Sequence, residues 1–147
     1  QEHFKEQSHF NSSSYEFVAY APRVFASLRG IFGVTPKKYV ESIEGDPNDM
    51  KQNFSEGTRL LWDWVGRSGS FFYFTVDRKY IVKTITKAEY RVMLRILPKY
   101  YEFMHDNPLS LICRIYGQES CAQTLGLYSV SMYGHREFLC VMNNVLS

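Results

Sequence analysis

The sequence predicts an α+β fold: an antiparallel β-sheet of about five to six strands, N-terminal helices leading into it, and one long helix on a face. Two patterns predict it. Short runs rich in Phe, Tyr, Val and Ile, bounded by Gly, Asn and Asp, recur along the chain, and between them apolar residues return at helical spacing. A composition that is 45% hydrophobic and 16% aromatic can fill a core and excludes a disordered chain. At 147 residues the chain is the size of one domain or one lobe.

Residues 1–16 are polar, with Ser12-Ser13-Ser14 in the middle, and read as a flexible lead-in to a folded unit over 17–147. Phe17, Tyr20, Ala21, Val24, Phe25, Leu28, Ile31 and Phe32 recur at helical spacing. Pro22 suits a first turn, so the regular helix is expected over about Ala21 to Ile31, closed by Gly33. Thr35-Pro36 repeats the device as a cap followed by a proline, and Lys37 to Ile43 makes a second short helix. Glu44 to Thr58 is a polar loop broken by Gly45, Pro47 and Gly57.

Arg59 to Val65 is the expected strand into a small-residue turn, Gly66-Arg67-Ser68-Gly69-Ser70. Phe71-Phe72-Tyr73-Phe74 and Tyr80-Ile81-Val82 then pair across the polar turn Asp77-Arg78-Lys79, and the return strand ends on Lys83. Thr86 caps a helix from Lys87, with Glu89 in its first turn and Val92, Met93, Ile96 and Leu97 on one face. Pro98 interrupts or kinks this pattern, and Lys99 to Met104 forms a second helical piece. Leu111 to Tyr116, Leu125 to Tyr133 and Glu137 to Leu146 are further strands, the last two a hairpin turning at Gly134-His135.

A net charge of +2 is too small to argue for a nucleic-acid partner, though local clusters can face an anionic membrane. Cys113, Cys121 and Cys140 are widely spaced without a C-x-x-C and read as free thiols of a reducing compartment. No apolar run reaches the roughly 18 residues of a membrane span, so a soluble chain with peripheral membrane contact is expected. His3, His9, His105 and His135 have no ligand spacing and read as surface or turn residues, and Asp77 as a turn former. A start at Gln1 and a stop just after an apolar strand suggest a fragment.

The chemistry-bearing stretch is Val65 to Ile85. Glycines let a backbone approach a ligand, Ser68 and Ser70 add hydroxyls, and a strand lysine supplies a point charge to phosphate. The spacing is neither G-x-G-x-x-G nor G-x-x-x-x-G-K-[ST], so Rossmann and P-loop binding are unsupported. The residues alone leave two readings open: the nucleotide end of a kinase-like lobe, or an ordinary turn between core strands.

Several motifs occur together and in order: YAPRVFASLRGIFGVTPKKYVESI (Tyr20 to Ile43), GRSGSFFYFT, YIVKTI, LRILPKYYEF and the terminal VMNNVL. In this the chain resembles the N-terminal half of the catalytic domain of phosphatidylinositol phosphate kinases, most like the type I, 4-phosphate 5-kinase group. The likeness covers about Phe17 to Ser147. It implies a kinase-like small lobe in which Gly66, Ser68, Gly69 and Ser70 form the loop over the ATP phosphates and Lys83 is the ATP-binding lysine. Glu89 would orient that lysine, Ile81 and Val82 would belong to the slot around adenine, and Met142, Asn143, Asn144 and Val145 would be the hinge. It further implies ATP and Mg²⁺ as cofactors, phosphatidylinositol 4-phosphate as substrate, a cytosolic membrane face as location and a homodimer built through this half. No H-R-D, D-L-K-G-S or D-F-G motif is present, so catalytic base and metal ligands would sit in a C-terminal lobe absent from this chain, and this half alone would be inactive. The alternative reading is a non-catalytic phosphoinositide-binding or dimerisation module.

Overall fold

The computed structural model describes residues 2–44, 72–75, 77–107 and 124–144. The expected strands at 59–65 and 111–116, the small-residue turn at 66–70, Val145, Cys113 and Cys121 lie outside the described residues. A 3-10 turn, Glu2–Phe4, precedes strands β1 (Gln7–Asn11) and β2 (Glu16–Tyr20). Helices α1 (Pro22–Ile31) and α2 (Pro36–Glu44) follow, then β3 (Phe72–Phe74) and β4 (Tyr80–Ile85). The long helix α3 (Lys87–Asp106) leads to the closing hairpin, β5 (Thr124–Met132) and β6 (His135–Asn143).

The strands form one six-stranded sheet in the order β1-β2-β5-β6-β4-β3, every neighbouring pair antiparallel. The fold is α+β, as predicted. Its centre is the β5–β6 hairpin, which turns at Tyr133 and Gly134 with φ of 55° and 74°. Two consecutive positive φ values make a two-residue type I′ turn, whose twist matches the strands it joins. The hairpin therefore turns one residue earlier than Gly134-His135.

Residues 7–11, expected within a flexible lead-in, form a strand of the sheet. Gln7–Asn11 pairs residue for residue with β2, and Ala21 N–H donates to the Glu6 carbonyl at 2.8 Å. Every β1 residue is exposed, so no apolar pattern announced the strand; backbone pairing alone makes it. Phe17 and Tyr20 likewise belong to β2, not to a helix. Val18 and Tyr20 bury on one face, while Phe17 stacks on Tyr128 on the other, at 5.4 Å between ring centroids. Ala21, at φ 44°, turns the chain from strand into helix, and Pro22 opens α1. A Schellman motif closes it: Gly33, at φ 77°, donates to the Gly30 carbonyl and Val34 N–H to that of Arg29.

Helix α3 is continuous through Pro98. A mid-helix proline costs about 3 kcal/mol, but buried side chains anchor both halves, Leu97 before it and Met104 after. Helices α1 and α3 cover the inner face of the sheet, where Val24, Phe25 and Leu28 meet Leu127, Phe138 and Cys140. On the outer face a smaller cluster joins Tyr39 of α2 to Tyr80, Leu125 and Val141.

A β-bulge between Thr124 and Gly126 shapes the start of β5. It sends Leu125 to the outer cluster while Leu127 packs in the inner one. The Arg29 guanidinium donates to the Leu125 carbonyl at 2.7 Å and lies 4.3 Å from the Tyr39 ring centroid, tying α1, α2 and the bulge together. Tyr39 and Tyr128 hydroxyls meet at 2.7 Å. A Cβ on Gly126 would fall 2.5 Å from the Tyr128 hydroxyl, whose ring is held by Tyr39 and Phe17. We predict that Gly126→Ala destabilises by about 1–3 kcal/mol in denaturant unfolding, and much less in a Tyr128→Ala background. Equal losses in both backgrounds would refute the steric account.

Candidate functional site

The register of β4 on β6 decides which predicted residues meet. Lys83 sits opposite Cys140, and Cys140 opposite Leu127 of β5; two pairs along, Ile81 opposes Met142. Side chains alternate along a strand, so Ile81, Lys83 and Ile85 share the inner face with Cys140 and Met142. Lys83 is half-buried inside β4, which continues two residues past it to Ile85 and so does not end on the lysine.

Between this face and α3 lies a cavity of about 460 Å³. Lys83, Cys140, Met142 and Thr124 contribute from the sheet, Phe25 from α1, and Glu89, Met93 and Leu97 from α3. The volume falls inside the roughly 300–1,000 Å³ range of small-molecule sites. Its walls are mainly apolar, with a cation on the sheet side and a carboxylate on the helix side.

Three predicted residues, Lys83, Glu89 and Met142, therefore surround one space. Others do not join them. Val82 points to the opposite face and packs against the Tyr39–Tyr80 cluster, so it cannot share a slot with Ile81. Asn143 pairs with Tyr80 in the ladder, one residue out of phase with Met142. Asn144 is buried, its backbone N–H donating to the Lys79 carbonyl and its side-chain amide to that of Arg78, each at 2.8 Å. It fastens the β3–β4 turn instead of offering that N–H to a ligand. Gly66, Ser68, Gly69, Ser70 and Val145 lie outside the described residues.

Glu89 holds two places at once. It lines the cavity and also completes a capping box: its N–H donates to Thr86 Oγ1 at 3.1 Å, and Thr86 N–H donates to its Oε1 at 3.3 Å. The carboxylate is thus fixed at the first turn of α3, where negative charge also complements the helix dipole.

Asp77 is a turn former, as expected. It accepts from Lys79 N–H and the Thr75 hydroxyl, while Ser42 of α2 donates to its other oxygen. Burial pushes its carboxyl up, but these hydrogen bonds outweigh burial and leave it below the ordinary carboxylate range. All four histidines are exposed. Among the described residues no three His, Cys, Asp or Glu side chains cluster as a metal site, and no helix is long and apolar enough to cross a membrane.

Sequence reasoning missed Cys140 and Thr124, because their place beside Lys83 depends on strand pairing. Burial pushes the Cys140 thiol up to about 11, with Lys83 pulling the other way and Glu89 adding to the rise. At neutral pH it is a neutral wall of the cavity and no nucleophile.

The sequence model of the family described as "Phosphatidylinositol-4-phosphate 5-Kinase" matches residues 62–147. A phosphatidylinositol 4-phosphate 5-kinase of Plasmodium falciparum is 37% identical over 136 residues, 89% of this chain and 8% of that protein. Phosphatidylinositol 4-phosphate 5-kinase 4 of Arabidopsis thaliana is 41% identical over 106 residues, 72% of this chain and 12% of the relative. The type-1 alpha enzyme of Rattus norvegicus is 32% identical over 138 residues, 94% of this chain and 21% of the relative. The chain thus spans between 8% and 21% of the length of these relatives.

Two outcomes follow from the cavity. Glu89→Ala should cost about 1 kcal/mol of stability through the lost cap, whereas Glu89→Gln keeps an acceptor and should cost little; equal losses in thermal melts would argue against the capping box. A thiol raised in the folded state adds stability that is complete below its unfolded value, near 9, and lost as pH rises toward about 11. Stability should therefore fall by about 2–3 kcal/mol more between these pH values in the wild type than in Cys140→Ala. Parallel pH slopes for the two proteins would contradict it.

Proposed function

Because the chain belongs to the phosphatidylinositol-4-phosphate 5-kinase family, we propose that it forms the nucleotide-binding small lobe of a lipid kinase. The enzyme phosphorylates phosphatidylinositol 4-phosphate at the 5-hydroxyl, giving phosphatidylinositol 4,5-bisphosphate at the cytosolic face of a membrane. The observation that carries this reading is the placement of Lys83, Glu89 and Met142 around one apolar cavity beneath a long helix. Kinase small lobes pair a strand lysine with a helix glutamate in this manner.

In this reading the Lys83 ammonium meets nucleotide phosphate oxygens from the floor of the cavity, and the carboxylate of Glu89 orients it. Apolar side chains, Met142 at the strand end and Ile81 on the same face, receive the base. Gly66, Ser68, Gly69 and Ser70 supply backbone and hydroxyl donors over the phosphates. Asn143, Asn144 and Val145 carry the chain on from Met142, with Asn144 holding the neighbouring turn in place. Bound ATP supplies the γ-phosphoryl group and Mg²⁺ neutralises its charge. These 147 residues hold no H-R-D or D-F-G motif, so base and metal ligands come from the rest of the complete enzyme, and these residues alone are inactive. Among the described residues β1 is an edge of the sheet and exposed along its length, which suits a homodimer contact.

The test is transfer from labelled ATP, with magnesium, to vesicles containing phosphatidylinositol 4-phosphate, catalysed by the complete enzyme. Lys83→Ala should lower turnover at least ~100-fold while leaving the melting temperature near that of the wild type. Undiminished turnover in that variant would overturn the role of Lys83. Absence of transfer by a well-folded wild type would favour a non-catalytic phosphoinositide-binding module.

A further inference from the structure

Helix α3 bounds a second cavity on its other flank. Its positions 88, 89, 92, 93, 96 and 97 face the Lys83 cavity, whereas 87, 90, 91 and 94 line a groove of about 780 Å³ against β2 and β6. Spacings of three, one and three residues place the second set on a single stripe. The groove has an apolar floor of Tyr20, Leu94 and Phe138, and Lys87, Arg91 and Arg136 stand around it.

Three cations line this groove with the carboxylate of Glu137, which His135 holds at 2.7 Å, and a second carboxylate, Glu16, pairs with Arg136 at its edge. Arg136 lies 3.5 Å from Glu16, and its Nε donates to the Ser131 hydroxyl at 2.8 Å, which fixes the direction of its guanidinium. Arg136 and Arg91 both line the groove together with Tyr90. Lys87 and Arg91 form no ion pair among the described residues. A small domain with a net charge of only +2 here gathers positive charge over an apolar concavity.

We propose that this groove is a second, non-catalytic binding site for a phosphate-bearing ligand. Arg91 and Arg136 form the guanidinium fork and Lys87 the added point charge, while the aromatic floor receives the ligand's apolar part. Guanidinium pairs suit phosphate oxygens because they donate in a planar fork. The phosphate can belong to a lipid headgroup or to a free soluble ion. The site is independent of the nucleotide reading, since it uses the opposite stripe of α3.

The complete enzyme is incubated with inorganic phosphate in one arm, and in the other with phosphatidylcholine vesicles with or without phosphatidic acid. Hydrogen exchange over residues 85–94 and 136–138 reports occupancy in both, and vesicle sedimentation reports affinity in the second. Phosphate or phosphatidic acid should protect these segments, and the arm that responds identifies the source. Lys87→Ser with Arg91→Ser should weaken binding at least ~tenfold, Arg91→Lys should restore part of it, and Lys83→Ala should leave the protection in place. Both serine changes are at exposed positions, and unaltered melting of that variant verifies its fold. Lys37→Ser with Lys38→Ser on α2 removes the same charge elsewhere. An equal loss in that control, binding unaltered by the Lys87 and Arg91 changes, or no protection by either probe overturns the proposal.

Discussion

The pairing of β4 with β6 is the constraint on which the rest of the sheet depends. A slip by one residue would send Lys83 to the α2 side and bring Val82 beneath α3, because side chains alternate with a period of two. The register is held from both ends. At one end Asn144 ties β6 to the β3–β4 turn through the carbonyls of Arg78 and Lys79, and Ser42 ties the same turn to α2 through Asp77. At the other, Phe138 opposite Ile85 is locked into the inner core, stacked on Tyr90 of α3 at 4.2 Å. A polar clamp and an aromatic clamp thus fix the placement of one lysine.

Aromatic side chains do more here than fill space. Tyr20 and Tyr90 lie 4.8 Å apart on the inner face, and the Tyr20 hydroxyl meets Ser129 across the strands at 2.9 Å. On the outer face Tyr39 and Tyr128 share a hydrogen bond at 2.7 Å. Rings give apolar contact, while the hydroxyls find partners that a purely aliphatic core would lack. Burial, with the neighbouring Tyr128 adding to it, holds the Tyr39 phenol well above its ordinary value, so this network stays neutral and intact through the physiological range.

Much of this was legible in the sequence, and the exceptions share a cause. Thr86 with Glu89 marked the start of α3 because a capping box is a local device, and Gly33 marked the end of α1 for the same reason. The closing hairpin was legible from its alternation and its glycine. What failed depended on partners distant in the chain. β1 has no buried residue and exists only because β2 lies beside it. Phe17 and Tyr20 happened to continue a helical spacing, yet their pairing with β1 and β5 decided otherwise. Pro98 failed to break α3 because tertiary packing holds both halves. Around the cavity, Lys83 and Glu89 could be named from local context, whereas Cys140 and Thr124 could not, and Val82 lies on the face opposite Ile81 because faces are assigned only by pairing.

A helix that walls two cavities has a consequence for how such a protein can change over generations. Substitutions on one stripe of α3 alter one cavity and leave the other alone, so each can drift separately. Length cannot drift in the same way. One residue inserted before Lys87 would rotate every later side chain by about 100° and misalign both stripes together. Between Thr86 and Leu97 the chain therefore tolerates change at exposed positions but not in count.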